Sequence, residues 1–109
     1  MKIDKTLVSG SAGMLVLRLL SEQDMYGYQM TEQLAARSRN VFEMKSGTLY
    51  PLLHSLEQKG YITAYERQEN GRVRRYYSIT DSGRGQLADK AAEWAVFRAA
   101  VDGVMGGAS

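Results

Sequence analysis

The chain contains no cysteine, one proline and one histidine among its 109 residues. Without cysteine there is no disulfide framework, no thiolate metal site and no cysteine nucleophile, a composition suited to a reducing compartment. With so few imidazoles a transition-metal centre is not expected. His54 has no serine or carboxylate at a spacing that implies a catalytic triad. The short glycine stretches GSAG (10–13) and GRG (83–85) are too brief for phosphate loops. No enzymatic activity and no cofactor are expected. Long apolar runs are also missing: AGMLVLRLL (12–20) is interrupted by Arg18 and reads as a buried helix, not a membrane span or a signal peptide. The expectation is a cytoplasmic protein with no membrane partner.

What is present is an ordinary globular composition, 44% apolar and 24% charged, sufficient for one modest core. The net charge of +2 is unevenly spread. Residues 37–90 hold ten Lys/Arg against six Asp/Glu, a net of +4, while the flanking segments are each slightly acidic. A basic middle points to a local anionic partner.

The periodicities give an order of elements. Residues 11–20 form an apolar helix, weakened near its start by Gly10 and Gly13 at about 1 kcal/mol each if interior. A turn over 21–25 leads to a second helix over 26–38, with Tyr26, Met30 and Leu34 on one stripe. After a connector (39–45), residues 46–61 place Leu49, Leu52, Leu53 and Leu56 at helical spacing, with Ser46 as N-cap and Gly60 as terminator. Pro51 falls close enough to the helix start to bend it without breaking it. ITAYERQ (62–68) and VRRYYSI (73–79) read as strands, joined through Asn70-Gly71, a strong hairpin signal. Thr80 or Asp81 caps a last helix running to about Met105. The fold class is mainly α (α+β): a winged helix-turn-helix over residues 1–80, a long C-terminal dimerisation helix over 81–105 in the same compact unit, and a flexible tail at 106–109.

Two surfaces carry the functional reading. With its leucines buried, the third helix offers Thr48, Tyr50, Pro51, His54, Ser55 and Gln58. These groups suit phosphates and base edges, though any solvated helix also has a polar face. The hairpin bears Arg72, Arg74 and Arg75, with Arg67 across it. Such a wing can lay arginines along a phosphate backbone or into a minor groove, or simply protect a strand edge with charge. Alternation turns Tyr77 and Ile79 inward and leaves Tyr76 free to touch DNA. Double-stranded DNA is the expected partner.

YGYQM (26–30), SGTLYPLLHSLEQKGYI (46–62) and GRVRRYYSITDSGRGQL (71–87) resemble, in order and spacing, the signature blocks of the PadR family of bacterial transcriptional regulators. The likeness covers nearly the whole chain, and its final segment is similar to the short members with a single C-terminal helix. The resemblance implies a dimeric winged-helix DNA binder, usually a repressor. It carries recognition-helix roles onto Gly47, Thr48, Leu49, Tyr50, Pro51 and His54, and wing roles onto Gly71, Arg72, Arg74 and Arg75. It also places Tyr26 and Tyr28 near phosphate. Ser46 departs from the acidic residue common before GTLYP, which bears on helix capping or operator choice.

In the last helix, positions 87, 90, 94, 97, 101 and 104 carry Leu, Lys, Trp, Phe, Val and Val, a seam suited to a second helix or to the chain's own body. Leu87, Ala91, Trp94, Phe97, Val101 and Val104 are the candidate dimer interface of a homodimer. Two-fold pairing would set two reading helices about 34 Å apart and demand an inverted-repeat operator. Some PadR relatives are similar to multidrug sensors that stack flat aromatic ligands on a tryptophan of this helix. Trp94 and Phe97 are therefore also candidate effector-binding residues for a small aromatic ligand, against the plainer reading of a packed interface. A winged-helix protein-interaction module that never binds DNA is the rival from a different class.

Overall fold

The computed structural model describes residues 3–106. Its elements run α1 (Lys5–Glu22), β1 (Met25–Tyr26), α2 (Gly27–Arg37), α3 (Ser46–Gln58), β2 (Ile62–Glu69), β3 (Arg72–Ile79) and α4 (Asp81–Met105). The strands form one antiparallel sheet in the order β1-β3-β2. This is the expected winged helix-turn-helix with a long C-terminal helix. Residues 107–109 of the expected flexible tail lie outside the described residues.

Helix α1 begins at Lys5, well before the apolar run at Ser11, because Asp4 caps it. The Asp4 carboxylate accepts from the Thr6 N–H at 2.8 Å and from the Thr6 hydroxyl at 2.6 Å. Those hydrogen bonds hold the Asp4 carboxyl below its ordinary pKa. Gly10 and Gly13 lie inside the helix without breaking it.

The core collects Val16, Leu17, Leu19 and Leu20 from α1, Met30 and Leu34 from α2, and Leu49, Leu53 and Leu56 from α3. Met25, Ile62 and Tyr77 close it from the sheet, and Met44 fills it from the connector. At the far end of α1 and α2, Arg37 forks onto Glu22 at 2.6 and 3.1 Å, and Arg18 reaches the same carboxylate at 3.3 Å.

Two further boundaries differ from expectation. Tyr26 does not start the second helix: Met25 and Tyr26 pair with Tyr77 and Tyr76 as a third strand, and α2 begins at Gly27. The hairpin is thus bonded along one side to the segment that enters α2. Ser46 is the first residue of α3 rather than its N-cap; Lys45, extended at φ −88° and ψ 162°, holds that position without a side-chain cap. The N–H groups of Thr48 and Leu49 both donate to the Lys45 carbonyl at 2.9 Å.

Other signals hold. Pro51 sits inside an unbroken α3. Gly60, at φ 79°, ends it in a left-handed turn, with the Tyr61 N–H returning to the Leu56 carbonyl and the Gly60 N–H to that of Glu57, each at 3.0 Å. Asn70 and Gly71 turn the hairpin at φ 50° and 77°, the positive pair a two-residue turn requires.

Thr80 joins wing to long helix. Its hydroxyl accepts from the Gly83 N–H at 3.0 Å and donates to the Gly60 carbonyl at 2.7 Å. Gly83 is buried so closely that a Cβ there would strike the Tyr61 carbonyl oxygen and approach Ile79 Cγ1 to 2.8 Å. The root of α4 is therefore seated on the turn that ends α3.

Candidate nucleic-acid interface

The packing of α3 divides its surface cleanly. Leu49, Leu53 and Leu56 are buried, while Gly47, Thr48, Tyr50, Pro51, His54 and Gln58 are exposed along one stripe. Leu49 is thereby a core residue, as its helical spacing predicts, although the resemblance carries a recognition-helix position onto it. Ser55 lies at the edge of the stripe, half-buried. Tyr50 is exposed on one side, but its hydroxyl end lies over Gly27, where a Cβ would come within 2.9 Å of the ring. The absence of a side chain at the first position of α2 lets α3 approach it. The run Tyr-Gly-Tyr carries that signal in the sequence: a glycine between two bulky residues marks a close approach.

Tyr28 stands in the first turn of α2 with its ring exposed. Tyr26 is half-buried, and its backbone N–H donates to Gln29 Oε1 at 3.1 Å, holding the entry to α2. Arg74 lies over the Tyr26 ring at 4.4 Å from its centroid, so the wing and the start of α2 meet through a cation–π contact.

The three wing arginines are not equivalent. Arg72, next to the turn, is exposed and forms no ion pair among the described residues. Arg74 is half-buried on Tyr26. Arg75 points to the other face, where its Nη2 meets Glu57 Oε2 at 3.4 Å and ties the wing to the last turn of α3.

Tyr76 is the clearest correction. It is 5% exposed, not free. Tyr26 packs edge-on against it at 5.4 Å, Tyr65 stacks on it at 5.8 Å, and Arg67 lies over it at 4.9 Å. Alternation correctly turned Tyr77 inward, but the cover over Tyr76 comes from β1 and β2. Its hydroxyl donates to Glu69, and that of Tyr65 donates to Asp24 at 2.6 Å. Each of these hydrogen bonds holds its tyrosine above the ordinary phenol pKa, since losing the proton would break the bond and set a phenolate beside a carboxylate.

Along α4, Leu87 packs on the body, while Ala91, Trp94, Phe97, Val101 and Val104 are exposed, Trp94 at 45% and Val104 at 88%. A single chain does not cover these groups. Trp94 borders an open groove of about 570 Å³ between α1 and α4, lined also by Met14, Leu15, Leu87 and Ala91. Phe97 stands beside it, the two rings 5.8 Å apart. Among the described residues no group of three His, Asp or Glu could hold a metal ion, and no helix is long and apolar enough to cross a membrane.

The family described as the transcriptional regulator PadR-like family matches residues 16–89. An uncharacterised protein of Lysinibacillus sphaericus is 35% identical over 102 residues, covering 93% of this chain and 94% of that one. A transcriptional regulator of Mycobacterium tuberculosis is 35% identical over 74 residues, 68% of this chain and 66% of its own. Among solved structures, a transcriptional regulator from Clostridium thermocellum superposes with a TM-score of 0.84 at 30% identity, over 90% of this chain and 96% of that one. A PadR family regulator from Eggerthella lenta does so with a TM-score of 0.81 at 32% identity, over 92% and 86%.

Proposed function

The chain belongs to the PadR-like family of transcriptional regulators, and from that premise we propose that it is a repressor that binds double-stranded DNA as a homodimer, at an inverted-repeat operator. In this reading residues 1–80 are the DNA-binding part and 81–105 the dimerisation helix. The observation that carries it is the undivided exposed stripe of α3, Gly47, Thr48, Tyr50, Pro51 and His54, beside a wing whose Arg72 forms no ion pair among the described residues. The stripe enters the major groove and reads base edges; Arg72 and Arg74 hold the backbone; Tyr26 and Tyr28 flank the phosphates. The apolar seam of α4 meets its symmetry mate and sets the spacing of the two reading helices. Action on DNA places the protein in the cytoplasm.

The test is binding to fragments from upstream of its own and neighbouring genes across a salt series. Replacing Arg72, Arg74 and Arg75 with alanine should abolish binding that in the wild type weakens steeply with salt. Wild-type protein that binds none of these fragments in a salt-sensitive way would leave a protein-interaction module as the better account.

A second reading concerns regulation. The groove beside Trp94 supports an aromatic effector that stacks on the indole and changes the separation of the reading helices; it can do so only by binding the two separations with different affinity. Planar aromatic cations should then quench Trp94 fluorescence in the dimer. No quenching across a broad panel would leave Trp94 as interface packing.

A further inference from the structure

The outer face of the sheet carries an arrangement that neither the reading helix nor the dimer seam uses. In the β2–β3 register Arg67 lies directly opposite Arg74, and Glu69 opposite Arg72. Strand alternation puts Arg72 on the same face as Arg74, roughly 7 Å along the strand toward the turn. Like charges placed directly opposite across a pair of strands cost stability. Carboxylates relieve this only in part: Glu69 lies 3.4 Å from Arg67 Nε, whereas Arg74 forms no ion pair among the described residues. Asp24, the other acid nearby, is engaged by the Tyr65 hydroxyl.

The two guanidiniums are instead laid on rings, Arg67 on Tyr76 and Arg74 on Tyr26. Those rings are themselves fixed, packed edge to face on each other, with Tyr65 behind and two hydroxyls anchored to carboxylates. A guanidinium held over an aromatic ring is fixed in place, and Arg67 commits only its Nε to Glu69, which leaves the terminal N–H groups of both arginines for a phosphate. An oxyanion between the two would remove the repulsion that the register imposes.

We propose that Arg67 and Arg74 form a phosphate clamp on the outer face of the sheet, and that it takes a phosphodiester of the DNA flanking the segment gripped by the wing tip. The clamp rests on the DNA-binding reading and enlarges it: the footprint continues from Arg72 along the face of the sheet, and Arg67 becomes a contact residue. Tyr26 and Tyr76 are positioning residues that hold the guanidiniums in place.

The test compares wild type with Arg67→Gln in the full-length protein on two fragments, one with long flanks and one trimmed to the inverted repeat. On the long fragment the variant should bind about fivefold to tenfold more weakly, and its plot of log affinity against log salt should be shallower by about 0.9, the loss of one phosphate contact. On the trimmed fragment the two proteins should bind alike. The variant should melt close to wild type, since relief of the like-charge pair offsets the loss of the exposed Glu69 ion pair and the Tyr76 contact. An unchanged affinity and slope on the long fragment, or an equal loss on both fragments, would overturn the clamp while leaving the DNA reading intact. Wild-type protein that binds neither fragment would overturn both.

Discussion

Helices α3 and α4 carry apolar side chains at similar helical spacing and use them in opposite ways. Helix α3, with 13 residues, buries Leu49, Leu53 and Leu56 and turns its polar stripe outward. Helix α4, with 25 residues, buries only Gly83 and turns Trp94, Phe97, Val101 and Val104 to solvent. The root of α4 is pinned by Thr80 and Gly83; beyond Leu87 its residues are exposed. In the proposed dimer that seam is the surface the second chain covers. The same periodicity therefore means core in one helix and an exposed apolar seam in the other, and only the placement of the elements separates them.

That contrast can be broken at either end. Leu53→Ala should destabilise the folded body by about 2–5 kcal/mol, because it opens a cavity between three helices, measurable by chemical denaturation. Phe97→Asp combined with Val101→Asp should leave the helical content intact and abolish self-association. The dimer dissociation constant should rise at least about 100-fold, roughly 2.7 kcal/mol, with sedimentation giving the mass of the 12.2 kDa chain. If both substitutions leave a dimer, the seam is not the interface.

Gly27→Ala tests the contact that sets α2 against α3. The new Cβ would push on the hydroxyl end of Tyr50, the far end of a rotatable side chain that can swing away, so the fold should lose no more than about 1–2 kcal/mol. Displacing Tyr50 from the reading stripe should cost about tenfold in DNA affinity. A variant with unaltered affinity would remove Tyr50 from the interface.

The smallest effect is electrostatic. Hydrogen bonds from Arg37 hold the Glu22 carboxyl below its ordinary pKa. A depressed carboxylate stabilises the fold fully above its unfolded pKa, and the contribution is lost as pH falls through the lower folded value. Arg37→Gln should therefore flatten a shallow loss of stability on acidification below the ordinary carboxylate range and change little at neutral pH, as expected for an exposed pair. Thermal melts across pH 2–7 would show it.

Much of this was legible in the sequence because it is written locally. Leu49, Leu53 and Leu56 mark a helix face, Asn70-Gly71 marks a hairpin, and Gly60 a helix end. The resemblance of GTLYPLLHSLE and RRYYSIT to PadR blocks named the architecture. What escaped reading depends on partners distant in the chain. Met25 and Tyr26 are too short a run to read as a strand, whatever tyrosine's own preference; they are a strand because Tyr77 and Tyr76 lie opposite. Tyr76 is hidden by Tyr26, Tyr65 and Arg67, none adjacent to it in sequence. Arg72, Arg74 and Arg75 look alike in a row, yet one is exposed with no ion pair among the described residues, one rests on Tyr26 and one is bound to Glu57.

The central claim, a two-fold DNA reader paired through α4, meets its most direct test in a hydroxyl-radical footprint on the fragment bound most tightly. The account predicts two symmetric protected patches on one face of the duplex, their centres about one helical turn, 34 Å, or a multiple of it apart, both lost together in the Phe97→Asp, Val101→Asp protein. A single unpaired patch, or a footprint unchanged by those substitutions, would contradict it.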